Sequence, residues 1–307
     1  MMEISLNMYH AVALGAVLFW IGGVITDKVS VLNRYCIPAP LVGGLLFSII
    51  NCILTVSGVA SITFDGTLQT VFQNLFFTTV GFTVSIPALL RGGKSVVLVL
   101  ILSIIMIPIQ NGLGGGIMLA FGQDPLIGIG IGSTALIGGP ATAAAYGPEL
   151  VKAGAPAGAD VAALAAATFG LVSGSLMGGP VARSLIVKHN LHSTEGHVSD
   201  TGEVAGEDES FTSASPRFVK GFMLLLAALG IGAQISVWLT DLTGLTFPSY
   251  IGAMLTAVVI RNVMIAVKVE YPDQEIDTMG NMFLSIFLAL ALSSLKLWEL
   301  VDLALPM

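Results

Sequence analysis

Apolar residues run through most of this chain in long blocks set apart by short polar breaks. The blocks predict membrane-spanning helices over residues 8–25, 39–56, 71–90, 95–121, 157–186, 219–239, 247–267 and 281–301. Each is of the length needed to cross a hydrocarbon core of about 30 Å. One apolar stretch, residues 126–150 (LIGIGIGSTALIGGPATAAAYGPEL), does not fit the pattern. Gly128, Gly130 and Gly132 loosen its start, and Gly138, Gly139 and Pro140 break its middle, because two glycines and a proline penalise a continuing helix. Pro140 suits the first position of a new helix, where its missing N–H costs nothing. The stretch therefore reads as a re-entrant helical hairpin that turns near the membrane midplane, or else as a glycine-kinked spanning helix. Irregular backbone at that depth is tolerated where it is buried in protein or lines a wet cavity.

Charge gives the blocks an orientation. Lys28 and Arg34 follow the first, Arg91 and Lys94 the third, and Arg183, Lys188, Arg217 and Lys220 the fifth. Arg261 and Lys268 follow the seventh, while the alternate loops carry no Lys or Arg. The positive-inside rule then puts the N-terminus outside and the hairpin on the outer side. Lys152, beside the hairpin, and Lys296, in the last turns of the eighth block, fall outside that pattern. Nothing precedes Lys28 that would make a basic signal-peptide region. Cys36 and Cys52 flank one predicted helix and lie about 24 Å apart along it, too far to pair.

Residues 187–217 are polar, with six acids, and read as a cytoplasmic linker; His189, His192 and His197 within it have irregular spacing and no cysteine partners. On either side of the linker the same pattern occurs twice. Pro40, Leu41, Val42, Gly43 and Gly44 correspond to Pro248, Ser249, Tyr250, Ile251 and Gly252 at an offset of 208. Asn74, Leu75, Phe76, Phe77 and Thr78 correspond to Asn281, Met282, Phe283, Leu284 and Ser285 at 207. An odd number of spanning segments in the first copy makes the second copy inverted, as in many secondary transporters. The expected architecture is thus all-α and polytopic: residues 1–186 form a five-helix repeat with the hairpin at 126–150, and residues 218–307 begin its inverted mate. By the same offset a full second copy would extend to about residue 390, so the second repeat is expected to be incomplete.

Polar groups inside the apolar blocks are few. Gln110 and Asn111 follow Pro108; an amide pair there either supports the hairpin or ligand, or joins helices by hydrogen bonds. Gly170, Gly174 and Gly178 share one helical face, which permits close packing on the hairpin or between two copies. Ser133, Thr134 and Thr142 bring hydroxyls to the hairpin, next to Gly138, Gly139, Pro140 and Ala141. Helix ends facing each other at such a break offer carbonyls to Na⁺ and N–H groups to a carboxylate. No Asp, Glu or His lies deep in a predicted span, which argues against a carboxylate proton relay. There is no phosphate-binding glycine loop for ATP and no pairing of nucleophile and base for an intramembrane enzyme. The clustered polar residues also differ from the continuous polar lining of a channel.

Three stretches carry a resemblance: ATFGLVSGSLMGGPVAR (167–183), LKLWEL (295–300) running into ALPM, and IPAPLVGGLL (37–46). Together they resemble the bacterial sodium/glutamate symporter family. The resemblance implies a homodimeric carrier of the inner membrane that imports L-glutamate, or a related small anionic solute, with Na⁺ as coupling ion. It implies no catalytic cofactor and no nucleic-acid partner. The family's hairpin tip reads Gly-Gly-His-Gly-Thr-Gly, against Gly138, Gly139, Pro140, Ala141, Thr142 and Ala143 here. On these grounds the candidate binding residues are Ser133, Thr134, Gly138, Gly139, Pro140, Ala141, Thr142, Gln110 and Asn111.

Overall fold

The computed structural model describes residues 2–30, 32, 37–189, 211–244 and 247–300. The first helix, α1 (Met8–Lys28), starts behind Asn7, whose side-chain oxygen accepts from the N–H groups of Tyr9 and His10 at 3.1 and 3.0 Å. Next comes α2 (Ala39–Val56), which follows Pro38. The two helices cross at glycines: a methyl group on Gly22 would overlap the Ala39 carbonyl, and one on Gly43 the Leu18 carbonyl.

Two short strands, which the hydropathy pattern does not foretell, flank this pair. β1 (Met2–Leu6) and β2 (Ala60–Phe64) pair in parallel with Met2 opposite Ala60. The buried Asn51 serves β2 as a third strand would: its Nδ2 donates to the Ile62 carbonyl and its Oδ1 accepts from the Ile62 N–H, both at 3.0 Å.

The third predicted span is divided. α3 (Thr67–Thr83) ends where Val84 turns extended, and α4 (Ile86–Arg91) restarts behind Ser85. Asn262 holds the break from across the bundle, accepting from the Ile86 N–H at 2.8 Å and donating to the Val84 carbonyl at 3.0 Å. α5 (Gly93–Ala120) then runs through Pro108 as one helix. Freed backbone groups beside a proline are commonly accommodated in membrane helices without a break.

The remaining elements are α6 (Pro125–Ile129), which passes into a π-helical turn over Gly130–Thr134, then α7 (Gly139–Lys152) and α8 (Ala159–His189). After them come α9 (Phe211–Thr243), α10 (Ser249–Ala266), α11 (Asp273–Ser293) and a 3₁₀ turn over Leu297–Leu300. α8 and α9 both reach into the stretch read as a linker; its middle, residues 190–210, with His192 and His197, lies outside the described residues. The last helix begins earlier than predicted, at Asp273, and ends at Ser293, so that LWEL at the end of LKLWEL forms a separate 3₁₀ turn. Among the described residues six helices are long and apolar enough to cross a membrane: α1, α2, α5, α9 from Pro216, α10 and α11.

The helices sort into two bundles. One holds α1, α2, α3, α9, α10 and α11 around Leu75, Phe82, Leu225, Ala257, Met279 and Phe283. The other holds α5, α6 with its π turn, α7 and α8 around Met118, Ile127, Ala159 and Ala162. A third apolar cluster joins them, with Phe77, Tyr250 and Phe287 meeting Ala143, Ala144 and Val161. Within the first bundle the pairings come in matched sets. α1 packs on α2 as α9 packs on α10, and α2 packs on α11 as α10 packs on α3. The glycine contacts match as well, because a methyl group on Gly252 of α10 would overlap the Gly232 carbonyl of α9.

At the end carrying the basic loops, charge ties the second set together. Arg217 Nε lies 2.9 Å from Glu275, and Arg261 bonds both Asp273 oxygens at 2.6 and 3.3 Å while lying 4.3 Å over the Tyr271 ring. α5 is peripheral by comparison: of its residues only Gly114, Gly115 and Met118 are buried, while Val96–Val99 and most residues to Ile109 expose apolar side chains suited to lipid.

Candidate functional site: the broken hairpin

The hairpin's arms are short. The run from Pro125 to Thr134 rises about 15 Å and α7 about 21 Å, at about 1.5 Å per residue. Neither length spans a core of about 30 Å. The chain breaks twice here, where the sequence pattern marks one break strongly and the other only as a loosening.

The first break lies in the π turn, at Gly132, whose ψ of −121° is not helical. A turn of this kind frees backbone groups from the helical ladder. Asn111 of α5 takes one of them: its Oδ1 accepts from the Ser133 N–H at 3.1 Å. Gly132 is tightly enclosed, since a methyl group there would stand 3.1 Å from both Asn111 Oδ1 and the Gln110 carbonyl oxygen. Gln110 Oε1 is buried with no hydrogen-bond donor in reach. Two amide oxygens, Asn111 Oδ1 and the Gln110 carbonyl, thus stand beside an opened helix turn, donors of the hard kind that suit an alkali or alkaline-earth cation.

The second break is the tip. Gly139 has φ +72°, which favours glycine, and Pro140 follows in the first turn of α7. The Ser133 carbonyl accepts from both Ile137 N–H (3.0 Å) and Gly138 N–H (3.2 Å), so it is not the unpaired carbonyl expected at this helix end. The Thr134 carbonyl and the Thr142 side chain fill the space a side chain on Gly138 would need. Thr142 therefore closes the tip by contact, with Gly138 as the residue that permits it. Pro140 and Ala141, half-buried, begin the returning arm.

The nine candidate residues accordingly form two neighbouring groups. Gln110, Asn111 and Ser133 meet at the π turn; Thr134, Gly138, Gly139, Pro140, Ala141 and Thr142 make the tip. Asn111 is hydrogen-bonded to the hairpin, a contact that fits both readings of the amide pair. Of the three glycines on α8, Gly170 lies against Leu136 of the hairpin, whereas a methyl group on Gly174 or Gly178 would meet open space.

This arrangement can be set beside known proteins. The model of the sodium/glutamate symporter family matches residues 4–307. The chain belongs to the sodium/glutamate symporter family. It is 32% identical over 312 residues to the sodium/glutamate symporter of Haemophilus influenzae, covering 99% of this chain and 76% of that protein. It is 35% identical over 292 residues to the sodium/glutamate symporter of Escherichia coli, covering 94% of this chain and 72% of that protein. No solved structure matches the chain. Membership of a symporter family together with six apolar membrane-length helices makes this a multi-pass membrane transport protein.

Sequence reading passes over a further group of residues between the two bundles. Gln69, Gln73 and Asn74 of α3, Ser249 and Tyr250 of α10, and Glu149 and Lys152 of α7 surround one cavity. Only the anomaly of Lys152 under the positive-inside rule signalled it.

Proposed function

We propose that this protein is a Na⁺-coupled symporter that imports L-glutamate or a closely related small carboxylate. The observation that carries the reading is the doubly broken hairpin in a chain of this family. It brings amide oxygens to an opened helix turn and the N-terminus of α7 to a glycine-proline tip. In such sites carbonyl oxygens hold the cation and a helix N-terminus faces the carboxylate. Gln110, Asn111 and the π turn are the Na⁺ side of the site; Gly139, Pro140, Ala141 and Thr142 are the solute side.

The accompanying topology is an inverted repeat, with α1–α3 matched by α9–α11 across the linker. The matched pairings of the first bundle and the glycine contacts at Gly43 and Gly252 support it. The N-terminus lies outside and the basic loops are cytoplasmic, supported by the ion pairs of Arg217 and Arg261 at that end. Arms too short to cross the membrane support a re-entrant hairpin. Two copies assemble in the bacterial inner membrane, as the family resemblance implies.

The test is uptake of labelled L-glutamate into vesicles containing the protein. An inward Na⁺ gradient should drive saturable, concentrative uptake, and an imposed pH gradient in Na⁺-free buffer should not. Concentrative uptake driven by the pH gradient alone would overturn the choice of ion, and glutamate influx that never saturates would point to a channel.

A further inference from the structure

We infer that the cavity between α3, α10 and α7 is an outer capture site for a small solute that bears both a carboxylate and an ammonium group. It is separate from the hairpin tip and reached before it. The inference rests on the symporter reading and on its orientation.

The cavity measures about 380 Å³, within the usual size of small-molecule sites. It opens where α3 and α10 begin and α7 ends, the face opposite the basic loops. Its chemistry is matched to a zwitterion. Lys152 Nζ lies 2.8 Å from Glu149 Oε1, and the Lys152 side chain is 71% exposed. An exposed pair of this sort contributes little to stability, so a ligand can take over both partners at little cost. Gln69 and Gln73 add amide groups to the same wall. The floor is rigid: Tyr250, 4% exposed, stacks on Phe77 at 4.8 Å and receives the edge of Tyr146 at 5.8 Å. The Tyr250 hydroxyl is buried at this floor beside that of Tyr146.

A second observation comes from charge placement. Ten of the twelve basic residues sit on the cytoplasmic side, leaving Lys152 and Lys296 outside. These two, 144 positions apart in sequence, come to the same place. Lys296 lines a neighbouring cavity of about 270 Å³ with Asp160, and the two cavities share Pro148. The outer cations of the protein thus converge on the outer end of the hairpin, each in a cavity with one acid. A purely anionic ligand would call for cations alone; the balance of signs selects an amino acid carboxylate.

The experiment uses an exposed reporter, Thr70→Cys, in the cavity wall of a Cys36→Ser, Cys52→Ser protein. Its reaction with a membrane-impermeant thiol reagent is timed in Na⁺-free buffer. L-glutamate at millimolar concentration should slow the reaction at least threefold, while n-butylamine should not. Lys152→Gln should abolish that protection, Lys152→Arg should retain it, and Thr142→Ala at the tip should leave it intact. Absent protection, or protection that survives Lys152→Gln, overturns the site. A reaction already slow in phosphatidylethanolamine vesicles, fast in detergent and indifferent to glutamate also overturns it, because the occupant is then a lipid headgroup. Failure of Na⁺-driven uptake, by contrast, would overturn the transport reading without changing these labelling rates.

Discussion

Asn111→Ala should uncouple the hairpin from its support. In the native protein Asn111 Oδ1 is the acceptor for the Ser133 N–H at 3.1 Å, one residue past the non-helical Gly132. The alanine leaves that half-buried N–H with no partner, and an unsatisfied buried donor costs about 1–3 kcal/mol. At about 1.4 kcal/mol per factor of ten, the opened π turn would lose roughly five- to 150-fold in population against a relaxed one. Binding that needs the opened turn falls by the same factor. The assay is uptake into proteoliposomes over a range of Na⁺ concentrations, with thermal melting in detergent as a check on folding. The expected result is a half-saturating Na⁺ concentration raised by at least fivefold. Asn111→Asp, which keeps an acceptor whether or not it is protonated, should lie much nearer the native value. If the alanine and aspartate variants are alike and both close to native, the bond does not hold the turn and the assignment of the amide pair to Na⁺ fails.

At the tip, Thr142→Ala should impair uptake far more than Ser103→Ala, whose hydroxyl only bonds back to Val99 at 2.9 Å in its own helix; equal and mild losses would detach Thr142 from function. Gly43→Ala and Gly252→Ala each force a methyl group into a facing backbone carbonyl. Each should destabilise the protein by about 1–3 kcal/mol or more, the usual cost of overpacking, lowering the melting temperature measurably, whereas Gly23→Ala, which meets nothing within 4 Å, should not. Melting temperatures that do not separate Gly23 from the other two would contradict the close approach of these helices.

Hydropathy alone locates most of the membrane helices, because burying backbone in lipid leaves a long apolar helix as the main solution. It fails where a tertiary partner decides the backbone. Val84 and Ser85 sit in an apolar run and look helical, yet the Asn262 side chain supplies the hydrogen bonds that let the helix stop there. β2 is similar: ASITF is too short to register, and the side chain of Asn51, from the preceding helix, completes its edge. Pro108 errs the other way, as a breaker that the helix absorbs. At the site, the tip was legible because Gly138, Gly139 and Pro140 are strong local punctuation. The π turn was visible only as glycines at alternate positions, since its identity depends on Asn111 arriving from α5. Gln73, Glu149 and Tyr250 gave no sequence signal, being ordinary residues until the two bundles meet.

The chain passes from one bundle to the other at α4, just before the positive φ of Gly93, and returns between α8 and α9. Both crossings lie at the end that carries the basic loops. At the opposite end, the described residues of α7 and α10 meet through stacked rings and a cavity. There the spacing of the two helices is set by side chains and by whatever lies between them, not by the turn of the chain that limits it at the basic end. Fastening that edge, for instance with a cysteine pair bridging α3 and α7, would tie the bundles together without touching the hairpin's own chemistry.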